Sequence, residues 1–547
     1  MLFWDTKAYW SERIVEIGGL NEYLSEFLTQ GFSYAGGPAW IVALLSGGIS
    51  FLFYGYMRAC GARPSMLVAI LPMFLPWLFP IENITPLLAV LWAFAGIHVY
   101  RCVRLPYLRY GAGVVIVALL YWWAAPAHLL VAMLMAVYEL CISAAGNQRR
   151  NAWVASLLFL AWAVLLPFVG MRLFWVVPVR EAFLSRYLYH PEYPLPSSFW
   201  FLWFSFPVLA VLAYRFRKVV WPGKASVRFV LAYGLLVLGI AWGIFMRKNP
   251  MEQAYRYDYY ARQGAWDRIV EHARQKGVAD QDALVYLNLA LSYTGQLDKS
   301  VFDFPQIGEA GFIPHEPRTR LGLIEASEVC WRIGQVNAAQ RFAFVGVLSS
   351  QRRVQPRLMQ RLVDTYLVNG EYRAAEKYIK LLEASPRYRS WAEGRRALLD
   401  PRVCEATDWV AEKRRLLSVT DNPIDPTQVF PSALAFLLDD HPENRPAFDY
   451  GMAYLLVHKQ LPPFMHYMEL ELKRGGSFPD LYQEAICLYY ATVEQNLEAF
   501  RRYAVRPEIS RRFSQFVQAL SKGTPASLLE KTYGDTYYFY YYTKGKR

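Results

Sequence analysis

Cysteine is scarce, and its placement excludes the usual uses of thiols. The six cysteines, Cys60, Cys102, Cys141, Cys330, Cys404 and Cys487, form no CxxC pair and no metal-type cluster. Walker loops, GxSxG and HExxH are also missing, so P-loop NTPase, serine-hydrolase and zincin chemistry have no anchor. Residues 1–16 lack the apolar stretch and small-residue cleavage site of a secretory signal. Acidic residues are thin in one half of the chain only. Up to residue 248 there are 19 Lys and Arg against nine Asp and Glu; the remainder is nearly balanced. The net charge of +13 therefore belongs mostly to an apolar region, which argues against a nucleic-acid footprint. No metal and no cofactor is expected.

What is present in that region is a series of long apolar runs. They lie at 38–57, 65–82, 84–100, 108–123, 126–142, 152–171, 198–214 and 228–246. Several are shorter than the roughly 20 residues of a full crossing. Turns at PIEN (80–83) and AAPA (124–127) make tight hairpins, one of which is alternatively re-entrant. Pro72 and Pro76 should kink the second run. The expectation is an all-α chain: a polytopic bundle of about eight spans over 38–248, followed by a helical-repeat domain over 249–547.

Charge orients the bundle. Alternate loops carry Arg58 and Arg63; Arg101, Arg104 and Arg109; Arg149 and Arg150; and Arg215, Arg217, Lys218, Lys224 and Arg228, with no Asp or Glu among them. Lys and Arg near span ends favour the cytoplasm. Eight crossings then place residues 1–37 and 249–547 on the outer face, in the periplasm of an inner-membrane protein. Residues 1–37 accordingly either follow a span upstream of the given start or are carried across with the first helix. Within them GGLNEYLSEFLTQ (18–30) has Leu20, Leu24, Phe27 and Leu28 on one helical stripe and Glu22 and Glu26 on another. The apolar stripe should face bundle or lipid, and the acidic one an outer aqueous cleft.

From 252 onward, aromatic or aliphatic positions, a glycine and an amphipathic helix recur. Gly264, Gly295, Gly334 and Gly370 are spaced 31, 39 and 36 residues apart, bracketing the roughly 34-residue period of tetratricopeptide repeats. The pattern resembles a degenerate solenoid of that type, with the four glycines at interhelical turns. Pro-rich breaks at 422–431 and 441–446 subdivide it. The terminal YGDTYYFYYYT (533–543) should be docked on the solenoid or the membrane; an aromatic ligand platform is the alternative.

GGLNEYLSEFLTQ before the first span, together with YGDTYYFYYY near the end, resembles an uncharacterised family of Bacteroidota multi-pass membrane proteins. The likeness covers essentially the whole chain and implies topology rather than chemistry. In that family a span precedes the Gly-Gly-Leu stretch and a proline often precedes its first glycine; here Ile17 stands in that place.

The layout also resembles the C-type glycosyltransferases that use lipid-phosphate sugars. That resemblance implies a general base among Asp5, Glu12, Glu16, Glu22 and Glu26, with Asp5, Glu22 and Glu26 foremost. It gives Arg172, Arg180 and Arg186 the role of holding a lipid phosphate. His190, in the same outer loop (175–198), joins them as a ligand-binding candidate. The adjacent acidic pair typical of such a first loop is missing, and the solvated face of a helix explains these carboxylates equally. His98 and Glu139 are candidates for a proton-relay pair, or simply reach toward the interface. The first expectation for function is a membrane-held repeat platform that binds an envelope protein or glycan. The alternative is the glycosyltransferase.

Overall fold

The computed structural model describes residues 3–34, 36–62, 84–143, 149–185, 197–215, 251–349, 355–417, 425–473, 478–494 and 502–543, with Gly234 and Leu238. Among these residues the chain is all-α, with no strand. It divides into two compact units, Met1–Arg247 with Ala384–Arg387, and Lys248–Glu383 with Tyr388–Arg547.

In the first unit, two short helices, α1 (Lys7–Val15) and α2 (Gly19–Thr29), precede α3 (Gly37–Ala59), α4 (Thr85–Cys102), α5 (Pro106–Ala124), α6 (Ala127–Ser143), α7 (Arg149–Leu173), α8 (Val179–Leu184) and α9 (Ser197–Arg215). Proline opens α3, α4 and α5 in their first turn, where its missing N–H is no loss. The apolar runs at 38–57, 84–100, 108–123, 126–142, 152–171 and 198–214 thus become helices close to their expected limits. Helices α4 and α6 form the centre, packed on each other and on α3, α5, α7 and α9. Interior polar links hold the arrangement. The Tyr56 hydroxyl donates to the Leu134 carbonyl at 2.8 Å, and the Trp162 indole to the Val114 carbonyl at 3.1 Å.

The outer helices expose Trp40, Leu44 and Phe51 on α3 and Leu157, Leu158, Val164 and Leu165 on α7. Apolar surface of this extent belongs against something other than water. Among the described residues four helices, α3, α4, α5 and α7, are long and apolar enough to cross a membrane, against the expected eight or so for the whole chain. The difference has two sources. Helix α6 has only 17 residues and the apolar stretch 203–215 is shorter still. The runs at 65–82 and 228–246 fall outside the described residues.

The second unit begins with α10 (Glu252–Arg262), α11 (Trp266–Lys276), α12 (Gln281–Tyr293), α13 (Leu297–Ser300), α14 (Arg320–Ile333), α15 (Val336–Ser349), α16 (Pro356–Val368) and α17 (Tyr372–Glu383). It continues with α18 (Arg389–Arg396), α19 (Pro401–Glu405), α20 (Asp408–Arg415), α21 (Phe430–Asp440), α22 (Arg445–Val457) and α23 (Leu461–Lys473). The last four are α24 (Asp480–Thr492), α25 (Pro507–Ser521), α26 (Ala526–Tyr533) and α27 (Tyr537–Thr543). From α14 to α18 each helix packs on the next in sequence. Caps start several of them: the side chains of Asp280, Thr319 and Asn444 accept from Ala283, Gly322 and Ala447 N–H. Gly264, Gly295, Gly334 and Gly370 all sit at helix ends with φ between +64° and +93°, as their placement at turns requires.

The aromatic terminus is not a free platform. Helix α27 buries Tyr537, Tyr538 and Phe539. Tyr537 and Tyr540 hydroxyls donate to the Leu456 and Val457 carbonyls at 3.1 and 3.0 Å. At its first turn the Tyr537 N–H donates to the Glu484 carboxylate at 2.7 Å.

Candidate functional site

The site is built from an inverted helix. On α2 the polar residues Asn21, Glu22, Ser25 and Glu26 are buried, while Phe27 is 55% exposed and Leu20, Leu24 and Leu28 are half-buried. The apolar stripe is therefore turned away from the packed interior of the bundle. The acidic stripe does not face an aqueous cleft: Glu22 and Glu26 are each 1% exposed. The physical reason is that the spacing of apolar and polar residues along a helix separates two faces without saying which medium each face meets. Where the surroundings are apolar, the polar face turns in.

Two glycines make this packing possible. The Gly18 N–H donates to the Trp122 carbonyl at 2.7 Å, with φ +75°. A β-carbon there would lie 3.0 Å from Ser185 Cβ and 3.2 Å from the Ala125 carbonyl oxygen. At Gly19 it would come within 1.7 Å of the Arg13 carbonyl oxygen, which no side chain survives. The Gly18-Gly19 step thus lets α2 pack closely on the end of α5 and on α1. The Asn21 amide donates to the Thr85 carbonyl at 3.0 Å, and the Thr85 hydroxyl to Ser25 at 2.9 Å, fixing α2 on the start of α4. The Trp175 indole donates to the Val15 carbonyl at 3.1 Å. The amino-terminal segment and residues 175–185 therefore converge.

Under α2, Arg13 (1% exposed) binds Glu26 at 2.7 Å, and its Nη2 donates to the Tyr9 hydroxyl at 2.7 Å. Tyr9 in turn donates to the other Glu26 oxygen. Burial, then the Glu26 charge, hold the Tyr9 phenol far above its ordinary range. Glu22 has no such support: neither carboxylate oxygen makes a hydrogen bond. Burial pushes its carboxyl well above the ordinary value; Arg13 opposes this, Glu26 and Glu16 add to it, and the neighbouring Ser185 hydroxyl opposes it weakly. Ser185 is itself fully buried and held at φ +67°, a conformation few non-glycine residues adopt.

Of the other candidates, Asp5, Arg172 and Arg180 are exposed, and Arg186 and His190 lie outside the described residues. The His98–Glu139 relay does not form. Arg109 pairs with Glu139, its Nε 2.8 Å from one carboxylate oxygen and its Nη2 donating to the other at 2.9 Å, and the Tyr100 hydroxyl donates at 2.8 Å, whereas His98 Nδ1 meets its own helix at the Phe94 carbonyl. A cation closer in the fold takes the carboxylate. Sequence reasoning missed Ser185 and also His128, fully buried on α6 with the Tyr121 ring 4.9 Å away. The histidine had a signal: an ionisable side chain in the first turn of an apolar helix. Ser185 had none.

A family model describing a family of unknown function, DUF6057, matches residues 1–544. The chain belongs to that family. No curated protein and no solved structure matches it. Family membership thus carries no chemistry, and the site has to be read from its own atoms. Among the described residues no group of three or more His, Cys, Asp or Glu side chains is placed to hold a metal.

A second polar cluster runs through the repeat helices. Asp258 on α10 is held by Arg262, Arg357 and the Tyr286 hydroxyl. Glu328 on α14 meets Arg357 at 3.1 Å and Arg361 at 2.7 Å, which overcome burial and hold it down at about 2. Arg361 also stacks on Trp331, 4.4 Å from the ring centre. This network ties α10, α12, α14 and α16 together through their buried faces.

Proposed function

We propose that the chain is a multi-pass inner-membrane protein that presents a periplasmic platform of tetratricopeptide-like helix pairs to an envelope protein or glycan. The observation that carries this reading is the segregation of charge along the bundle. Arg101 reaches the Gly55 carbonyl at 2.9 Å and Arg109 reaches Glu139, so Arg58, Arg101, Arg104 and Arg109 gather at one end, with Arg149 at the start of α7. Gly18, Thr85, Ala125 and Ser185 mark the other end. A basic end of this kind favours the cytoplasm, which leaves α2 and its aromatic neighbours Phe3, Trp10 and Tyr23 at the outer headgroup boundary. The four turn glycines and the sequential packing of α14–α18 support a solenoid, and a solenoid offers a broad surface suited to macromolecular partners.

The C-type glycosyltransferase acting on a polyprenyl-phosphate sugar is the second reading. What favours it is the convergence of residues 1–37 and 175–185 around a buried carboxyl. It requires one of Asp5, Glu12, Glu16, Glu22 and Glu26 to reach a substrate; Glu22 and Glu26 are buried, whereas Asp5 and Glu12 are exposed. Complementation of a deletion strain separates the two. Asp5, Glu12, Glu16, Glu22 and Glu26 are replaced singly by the corresponding amide, with results scaled to the folded protein in the membrane. A platform tolerates each change. An enzyme loses activity at one or two of them.

A further inference from the structure

Beneath α2, acceptors outnumber donors. The buried atoms there without hydrogen bonds include four oxygens: Oε1 and Oε2 of Glu22, Oδ1 of Asn21 and Oγ of Ser185. Among the described residues, Arg13 is the positive group that acts on Glu22. From α1 come Tyr9 and Arg13, with Glu16 just after it; α2 adds Glu26; α4 and α5 contribute Thr85 and Tyr121, both uncharged at neutral pH. Three carboxyl groups thus share one guanidinium, and that guanidinium already serves Glu26 and Tyr9. An ionised Glu22 needs a further positive charge to remain buried. Among the described residues no group of three or more His, Cys, Asp or Glu side chains is placed to hold a divalent metal ion.

We propose that the buried polar cluster under α2 is a binding site for one small monovalent cation, held by the Glu22 carboxylate and the Ser185 hydroxyl, with Asn21 Oδ1 as a further acceptor on the same face. The cation takes the place of a proton on Glu22, which leaves to solvent as the ion enters; no other atom changes hands. Sodium, potassium and a primary ammonium share this chemistry. The site is independent of whatever the repeat helices bind.

The test is thermal unfolding of the full chain in detergent micelles. Sodium, potassium or methylammonium chloride is titrated at constant ionic strength against a bulky quaternary ammonium salt, at about pH 6 and about pH 8. At least one cation should raise Tm saturably, with a midpoint that tightens about tenfold per pH unit because a proton is displaced. The cation that acts tells a metal ion from an ammonium headgroup. Glu22→Gln should fold, melt no lower than wild type in cation-free buffer and lose the response. Ser185→Ala should weaken the midpoint without abolishing the effect. Absence of a saturable rise with all three cations at about pH 8, or a rise retained in Glu22→Gln, overturns the proposal. If Glu22→Gln does not fold, Ser185→Ala decides, and an unchanged midpoint overturns it.

Discussion

Replacing Arg13 by methionine keeps most of the side-chain volume and removes the one guanidinium under α2. Glu26, 1% exposed, then loses the cation 2.7 Å from it, and Tyr9 loses the donor that balances its bond to Glu26. Breaking a buried pair by deleting one partner costs about 3–5 kcal/mol, because the remaining charge stays desolvated. Replacing both partners is far less harmful, so Arg13→Met with Glu26→Gln should recover most of that loss. Denaturant unfolding of the full chain in micelles measures it, with the two single variants completing a double-mutant cycle. The coupling between the sites should be about 2 kcal/mol or more. Acid should rescue the single variant, since a protonated Glu26 no longer needs a counter-charge. A loss below about 1 kcal/mol for Arg13→Met, or a double variant no better than the single, refutes the reasoning.

Further outcomes follow from the second unit. Gly264→Ala, at φ +66° with open space around it, should cost about 1–2 kcal/mol by equilibrium unfolding. Gly334→Ala should cost more, because φ is +93° and a β-carbon would lie 3.0 Å from the Asn444 amide and 3.3 Å from Leu416. Glu325 is fully buried with neither oxygen bonded, and burial, then Asp282, Asp258 and Asp280, raise its carboxyl well above the ordinary 4.5 against the pull of Arg357. A raised acid contributes stability that is complete below about pH 4.5 and is lost as pH rises through the folded value. Wild type should therefore lose stability on going up from about pH 5, and Glu325→Gln should lack that component of the slope. Tyr537→Ala removes a fully buried ring and the bond to the Leu456 carbonyl, and should cost about 3–5 kcal/mol in chemical denaturation.

The helices of the bundle were legible because apolar runs and prolines mark helix bodies and starts without reference to anything distant. The turn glycines were legible for a similar reason: Gly264, Gly295, Gly334 and Gly370 satisfy a local requirement for positive φ. Partners of buried charges were not. Glu139 meets Arg109, 30 positions away in sequence, and nothing local distinguishes that pairing from one with His98. The spacing of Glu22 and Glu26 correctly put both on one face of α2, yet it could not say that the face turns inward. That depends on whether the surroundings are more apolar than the interior, a property of the medium rather than of the periodicity. Ser185 is the extreme case. Its importance rests on a contact with the distant amino-terminal segment, at a glycine where a β-carbon would crowd Ser185 itself.

The central claim is the direction of the bundle in the membrane, and reporter fusions test it most directly. Fusions after Arg63, Arg109, Arg150 and Lys224 should report the cytoplasm, and those after Met251 and Arg547 the periplasm. The decisive one is Arg547. A periplasmic signal there, with Arg109 cytoplasmic, is the predicted result; a cytoplasmic signal at Arg547 contradicts the outward-facing platform and with it the proposed function.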